Sequence, residues 1–329
     1  QPFKMMVGDM VNEKQKGLAY SIQSFLCNAG SLVGFLFPFI FTWIGISNIA
    51  PQDVVPDSVI YSFYIGAAIL ILCVIYTTVK VKEMPPAEYA EYHGITEEEK
   101  KEKINMVKLL VKAPKAFWTV GLVQFFCWFA FMFMWTYTNG SVAANVFDAP
   151  TVETVVNGAN KVVLDTKSIQ YQNAADWVGV LFAVQAIGYV LWAVCIPMFK
   201  NRKLIYSLSL VLGGIGFIST YFVHNQYVLF ISFLLIGCAW AAMLALPFTI
   251  LTNALSGGHM GTYLGLFNGT ICIPQIVAAT LGGSILALFT PKGMLPPEIN
   301  MLVMAGVMLI IGAVCVYLIK ETKGEQAKA

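Results

Sequence analysis

The sequence predicts an all-α integral membrane protein: a bundle of eight complete spanning helices preceded by the end of a ninth. Three observations carry that prediction. Of the 329 residues, 58% are hydrophobic and only 12% charged, roughly half the charge of an ordinary soluble domain. From Leu204 to Pro291 there is no Asp, Glu, Lys or Arg, a stretch too long for one buried core helix and too apolar to face water. The 20 basic residues fall very unevenly on alternate loops, as expected of a chain oriented across a bilayer.

A helix needs about 20 apolar residues to cross the hydrocarbon. Uncharged runs of that size, bounded by charges, Pro or polar clusters, lie at Gly17–Ile44, Ser58–Val79, Ala116–Tyr137, Trp177–Phe199, Leu204–Phe222, Tyr227–Leu251, Gly261–Phe289 and Ile299–Ile319. Residues before Asp9 read as the end of a further helix, and the chain opens at Gln1 on a cut-short apolar run, so more sequence is expected upstream. Alternating sides gathers Lys4, Lys14, Lys16, the segment Lys80–Lys115, Lys200, Arg202, Lys203, Lys320, Lys323 and Lys328 on one face of the membrane. Only Lys161, Lys167 and Lys292 fall on the other. The first face is therefore cytoplasmic and includes the C-terminus. One span too many or too few would have mixed the two groups. The expected location is the cell membrane, with the lipid bilayer as the chain's first partner.

Residues 82–115 contain Pro85-Pro86, the charge run Glu97-Glu98-Glu99-Lys100-Lys101 and an amphipathic segment from Ile104 to Val111, and read as a cytoplasmic linker. It separates residues 1–81, the remnant of one bundle (the end of a fourth helix, then the fifth and sixth), from a complete six-helix bundle over 116–329. Within the latter, the polar stretch 139–176 reads as a mobile extracytoplasmic loop rather than a small folded flap. At an offset of 244, Asp9 meets Asn253, Gly17 meets Gly261, Ser21 meets Gly265, Ser24 meets Asn268 and Val33 meets Val277. If this is an internal repeat, about three spans precede the chain, completing two six-helix halves.

Several function classes are excluded by what the sequence lacks. The seven cysteines sit singly in apolar runs and read as core packing. The three histidines have no metal-ligand spacing, and no phosphate loop, Gly-x-Ser-x-Gly or His-Glu-x-x-His motif occurs. No enzyme, cofactor or nucleic-acid chemistry is signalled.

Polar groups inside spans are costly in lipid and are expected to face protein or a cavity. Gln23, Gln124, Gln185, Asn268 and Gln275 are such groups. One amide alone is expected to bond a neighbouring helix, at about 0.6 kcal/mol. Five together favour a polar cavity, in which Trp128, Trp135 and Trp240 can supply flat apolar platforms. Trp128 and Trp135, seven residues apart, share a helix face. Asp9 opposes the macrodipole at a helix end; with Lys4 it reads either as a cytoplasmic gate or charge relay, or as a cap and surface ion pair. Asp176, immediately before Trp177, reads as a helix N-cap. Gly30 and Gly34, and Gly265 and Gly269, form small-x-x-x-small faces that allow close helix approach.

Two motifs resemble those of a known family. Lys4 to Asp9, within Pro-Phe-Lys-Met-Met-Val-Gly-Asp, is similar to a basic-x-x-x-x-Asp element at the cytoplasmic end of the fourth helix in the sucrose and maltose branch of the glycoside, pentoside and hexuronide cation symporters, with Lys where Arg is usual. Gly261-Thr-Tyr-Leu-Gly265-Leu-Phe-Asn268, followed by Pro274-Gln275, resembles that family's eleventh-helix pattern, supported by Gly237 to Trp240 and Pro247 in the helix before. The resemblance implies a major-facilitator-type bundle that imports a disaccharide with a coupling cation, usually a proton, by alternating access. Gln23, Gln124, Trp128, Gln185, Trp240, Asn268 and Gln275 are then the candidate sugar contacts, with Lys4 and Asp9 the candidate coupling or gating pair. A symporter for another small solute, or a membrane assembly protein that transports nothing, remains the alternative. The first three helices of that family, which carry much of the coupling chemistry, do not fall within this chain.

The charge asymmetry yields a direct expectation for topology. In intact cells, a cysteine introduced at Lys161→Cys should react with an impermeant maleimide added outside. Lys203→Cys should react only after permeabilisation, and the reverse pattern would invert the orientation.

Overall fold

The computed structural model describes residues 13–48, 55–82, 85, 88, 106–156, 159–199, 201–254, 260–291 and 293–319. Ten α-helices and one hairpin follow in order. They are α1 (Glu13–Trp43), α2 (Asp57–Lys80), α3 (Met106–Val111), α4 (Lys115–Asn145), β1 (Thr151–Val156), β2 (Ala159–Leu164), α5 (Ile169–Cys195), α6 (Arg202–Ser219), α7 (Leu229–Ala254), α8 (Met260–Phe267), α9 (Gly269–Phe289) and α10 (Ile299–Cys315). Eight spans among the described residues are long and apolar enough to cross a membrane, in the order expected from the charge gaps. The expected ninth-helix end, Lys4, Asp9 and the basic tail lie outside the described residues.

Local chemistry fixes the helix starts. Pro114, with extended ψ, precedes α4, where the missing N–H of a proline costs nothing. The Ser168 hydroxyl accepts the Tyr171 N–H at the start of α5, and the Asn201 amide oxygen accepts the Leu204 N–H at the start of α6; both are N-caps. The penultimate span divides at Asn268. The Thr270 hydroxyl donates to the Phe267 carbonyl at 2.7 Å, and Gly269 and Pro274 weaken helix continuity on its far side.

Helix α4 is the central strut. It packs against α10 and α9 and touches α5 and α7, so it is buried on several sides and apolar around most of its circumference. An aromatic run stiffens it, with Phe129 and Phe133 ring centroids 4.7 Å apart and Phe133 and Tyr137 5.5 Å apart. Helix α1 docks on α5, and α2 packs on α1. A Cβ on Gly179 would stand 2.6 Å from the Phe35 carbonyl oxygen, so α1 and α5 meet backbone to side.

Close approach within the bundle is concentrated at other glycines than those expected. Gly188 of α5 and Gly237 of α7 face each other: a Cβ on Gly188 would lie 2.5 Å from Leu234 O, and one on Gly237 would collide with Gln185 O. Gly214 and Gly306 pair α6 with α10 in the same way, each aimed at the other's carbonyl at 3.0 and 2.7 Å. By contrast, Gly30, Gly34 and Gly265 have nothing within 4 Å of a built Cβ, and Gly269 meets only its own helix's Ile273 at 3.9 Å. The small-x-x-x-small pattern was present there, but among the described residues no helix occupies those faces.

The stretch 139–176 is shorter and more ordered than a mobile loop. Helix α4 continues to Asn145 and α5 begins at Ile169. Between them β1 and β2 form an antiparallel hairpin in register from Thr151↔Leu164 to Val156↔Ala159. Its β-branched run of Thr and Val suits a pleated, half-exposed ribbon.

The glycine contacts separate two classes of substitution. Gly237→Ala should lower stability by about 1–3 kcal/mol through overpacking. Gly66→Ala on α2, where nothing lies within 4 Å, should be neutral or stabilise by up to about 1 kcal/mol. Thermal unfolding in detergent checks the contrast.

Candidate functional site

Residues Gln124, Trp128, Phe131 and Trp135 follow one another at helical spacing along one face of α4. Helix α7 lays Trp240 against that face. The Trp240 ring centroid is 5.7 Å from Trp128, 4.8 Å from Phe131 and 5.7 Å from Trp135, and Trp128 and Trp135 stand 6.3 Å apart. One turn below, the Gln124 amide donates to Met243 O at 2.8 Å, binding α4 to α7 at the same register. Gln185 is buried on α5, where its backbone meets Gly237, one turn before Trp240.

Two polar atoms at this level have no hydrogen-bond partner. The Gln124 Oε1 is a buried acceptor and the Trp128 Nε1–H a buried donor, neither of them satisfied by protein. Leaving such groups unpaired costs about 1–3 kcal/mol each, so they stand out in an otherwise apolar layer. No charged residue of α4, α5 or α7 lies at this level.

The remaining expected residues are dispersed. Asn268 sits at the α8–α9 break, partly buried, its Nδ2 3.7 Å from the Cys272 Sγ. Gln275 lies two turns further along α9, beside Pro274. Gln23 is on α1, and its Nε2 is buried without a partner. The three tryptophans named from the sequence, Trp128, Trp135 and Trp240, lie in mutual contact, while Gln23, Asn268 and Gln275 are placed on α1, at the α8–α9 break and on α9.

A second feature lies at the hairpin end of the bundle. A cavity of about 360 Å³ opens between α1 and α5, lined by Thr42, Trp43, Asn173, Asp176, Trp177 and Gln226 among others, and none of the expected sugar contacts lines it. Asp176 is not an N-cap. Helix α5 starts two turns earlier under the Ser168 cap, and the Asp176 carboxylate instead accepts a 2.7 Å hydrogen bond from Asn48, beyond α1. The Trp177 indole donates to Gln226 O at 3.2 Å and stacks on Phe230. Asp176 thus ties the outer ends of α1 and α5.

Glu298, immediately ahead of α10, was not anticipated. In sequence it follows Pro296-Pro297 and looks like an ordinary exposed helix start. In the structure it does not cap its own helix. Its carboxyl group lies against Gly140 of α4, where a Cβ would collide with both oxygens. Burial alone lifts this carboxyl from its ordinary 4.5 to about 7.

With this geometry in place, comparison with known proteins decides the family. The profile of the Major Facilitator Superfamily matches residues 3–157 and 142–329. The chain belongs to the major facilitator superfamily. Among solved structures it is similar to a bacterial homologue of the human lysosomal transporter Spinster in its inward-facing, occupied conformation. The TM-score is 0.52 and the identity 16%, covering 96% of this chain and 72% of that one. The unoccupied inward-facing form of the same homologue matches with the same values. No curated protein matches the chain. At this identity the likeness is one of fold. The chain is a multi-pass membrane transporter, and its eight apolar helices are those of the superfamily's bundle.

The position of Glu298 sets a pH dependence. Its folded value is raised, so the native state binds the proton more tightly than the unfolded chain does. The stability this confers is fully present below pH 4.5 and is lost as pH rises through about 7. Glu298→Gln should therefore match the parent's melting midpoint in acid and exceed it above pH 7.

Proposed function

We propose that this chain forms the C-terminal bundle and inter-bundle contact of a secondary active symporter that imports a disaccharide such as sucrose or maltose together with a cation, the proton, by alternating access. The observation that carries the reading is the pair of unsatisfied polar atoms, Gln124 Oε1 and Trp128 Nε1–H, beside the Trp128–Trp135–Trp240 cluster. An acceptor, a donor and flat aromatic faces are what a pyranose needs. Its hydroxyls take the polar groups while its apolar C–H face lies on a ring. The absence of charged residues from this level of α4, α5 and α7 favours a neutral solute over a charged one.

In this reading Trp240 and Trp128 are the platforms. Gln124 and Gln185 meet hydroxyls from α4 and α5, and Gln23, Asn268 and Gln275 contribute from α1 and α9 as the bundles close. Asn268 suits such a role because it sits at the α8–α9 break, where a small change of tilt swings the side chain. The Asn48–Asp176 hydrogen bond holds α1 to α5 on the outer side, and opening outward breaks it. Lys4 and Asp9, outside the described residues, are the proposed cytoplasmic gate.

Uptake of radiolabelled sucrose and maltose into vesicles carrying the natural full-length protein, with and without an inward proton gradient, tests the reading. Gradient-driven accumulation of either sugar is expected. Trp240→Ala or Asn268→Ala, still inserted, should raise the KM by about 5–150-fold, corresponding to a lost contact of about 1–3 kcal/mol. Uptake of neither sugar by well-inserted protein would overturn the sugar assignment and leave a transporter of another solute.

A further inference from the structure

Glu298 is part of a polar cluster at the outer end of the bundle that the sugar site does not use. Its carboxyl group is held against Gly140 of α4, and it neither caps α10 nor has an ion pair or side-chain hydrogen bond recorded among the described residues. Asn139, next to Gly140, donates from Nδ2 to the Tyr171 hydroxyl at 2.9 Å, while its Oδ1 is buried with no partner. Tyr137, one turn back on α4, places its hydroxyl against Gly282 of α9, where a Cβ would stand 2.6 Å away.

The ionisable groups around this carboxyl can be enumerated. Helix α4 offers Tyr137 and α5 offers Tyr171. The titratable groups of α6, Arg202, Lys203 and Tyr206, are at its opposite end, and α9 has only Cys272, also remote. No cation among the described residues bears on the carboxyl, whose displacement has burial as its one cause. Lys292 lies outside the described residues.

A carboxylate withdrawn this far from water is unfavourable. A carboxylic acid in the same place is not, because it is neutral. We propose that Glu298, seated on Gly140 beside Tyr137, Asn139 and Tyr171, is an extracytoplasmic proton-binding site of the transporter. The proton binds the carboxylate oxygen as a neutral acid and leaves by the reverse step, so no further reactant is needed.

The placement also connects this proton to transport. Gly140 and Trp135 lie on the same helix, five residues or about 7.5 Å of rise apart. Charging Glu298 pushes a lone carboxylate out of its seat on α4, and α4 carries one wall of the tryptophan cluster. This coupling role rests on the symport reading; the proton site does not.

Two measurements on the natural full-length protein in liposomes keep the two apart. The first is pH-difference infrared spectroscopy of the protonated-carboxyl C=O band without any sugar. A band titrating near pH 7 that Glu298→Gln removes, and whose midpoint Gly140→Ala moves down towards the ordinary carboxylate range, is expected. No band lost in Glu298→Gln, or a midpoint unmoved in Gly140→Ala, overturns the site. The second is sugar transport in two modes. Glu298→Gln should exchange sugar at zero gradient within about twofold of the parent but lose accumulation driven by a proton gradient. Parent-like accumulation by Glu298→Gln overturns the coupling role. Should the parent move no sugar, the symport reading fails and the infrared titration still decides the proton site.

Discussion

Inside a bilayer, burying apolar side chains does not draw helices together, because lipid is as apolar as they are; association must come from shape and from polar contacts that have nowhere else to go. In this protein the constraint is met where backbones nearly touch. Gly188 with Gly237 joins α5 to α7, Gly214 with Gly306 joins α6 to α10, and Gly179 admits the Phe35 carbonyl of α1. Because these contacts are fixed by the absence of a Cβ, they set helix distances that bulkier residues could not reproduce. The rest of the arrangement hangs from them.

Given that spacing, α4 becomes both a core helix and a functional one. Its aromatic face meets Trp240 only because α7 is already held close through Gly237, and Gln124 reaches Met243 O for the same reason. At its outer end, the loss of a side chain at Gly140 leaves a seat filled by a carboxyl group from the far end of the chain. A single strut thus has an apolar, ring-lined middle and a titratable top.

The spans and their orientation were legible in the sequence because the membrane imposes a length on each and sorts positive charge by side. Trp128 and Trp135 were legible as partners because helical spacing decides it. Trp240 was expected with them by residue type, but the contact itself rests on the pairing of α4 with α7, which is a tertiary fact. Gly30, Gly34 and Gly265 were read as contact glycines on pattern alone, yet a small residue shows only that approach is possible, not that a neighbour is there. Asp176 was taken for a cap because hydrophobicity begins at Trp177, whereas the backbone helix begins under Ser168 in polar sequence beyond the hydrocarbon. Glu298 left no signal, because what buries it is the closeness of a helix far upstream.

The split of the penultimate span also bears on the end of the bundle opposite the hairpin. The short helix α8 is anchored at both ends. Tyr263 donates to the Leu109 carbonyl of α3 at 3.3 Å, while Phe267 wedges against Phe117 and Phe248. The described residues 106–111 are thereby hooked to the segment that ends at Asn268, so a tilt of α8 about that break would be felt directly by α3.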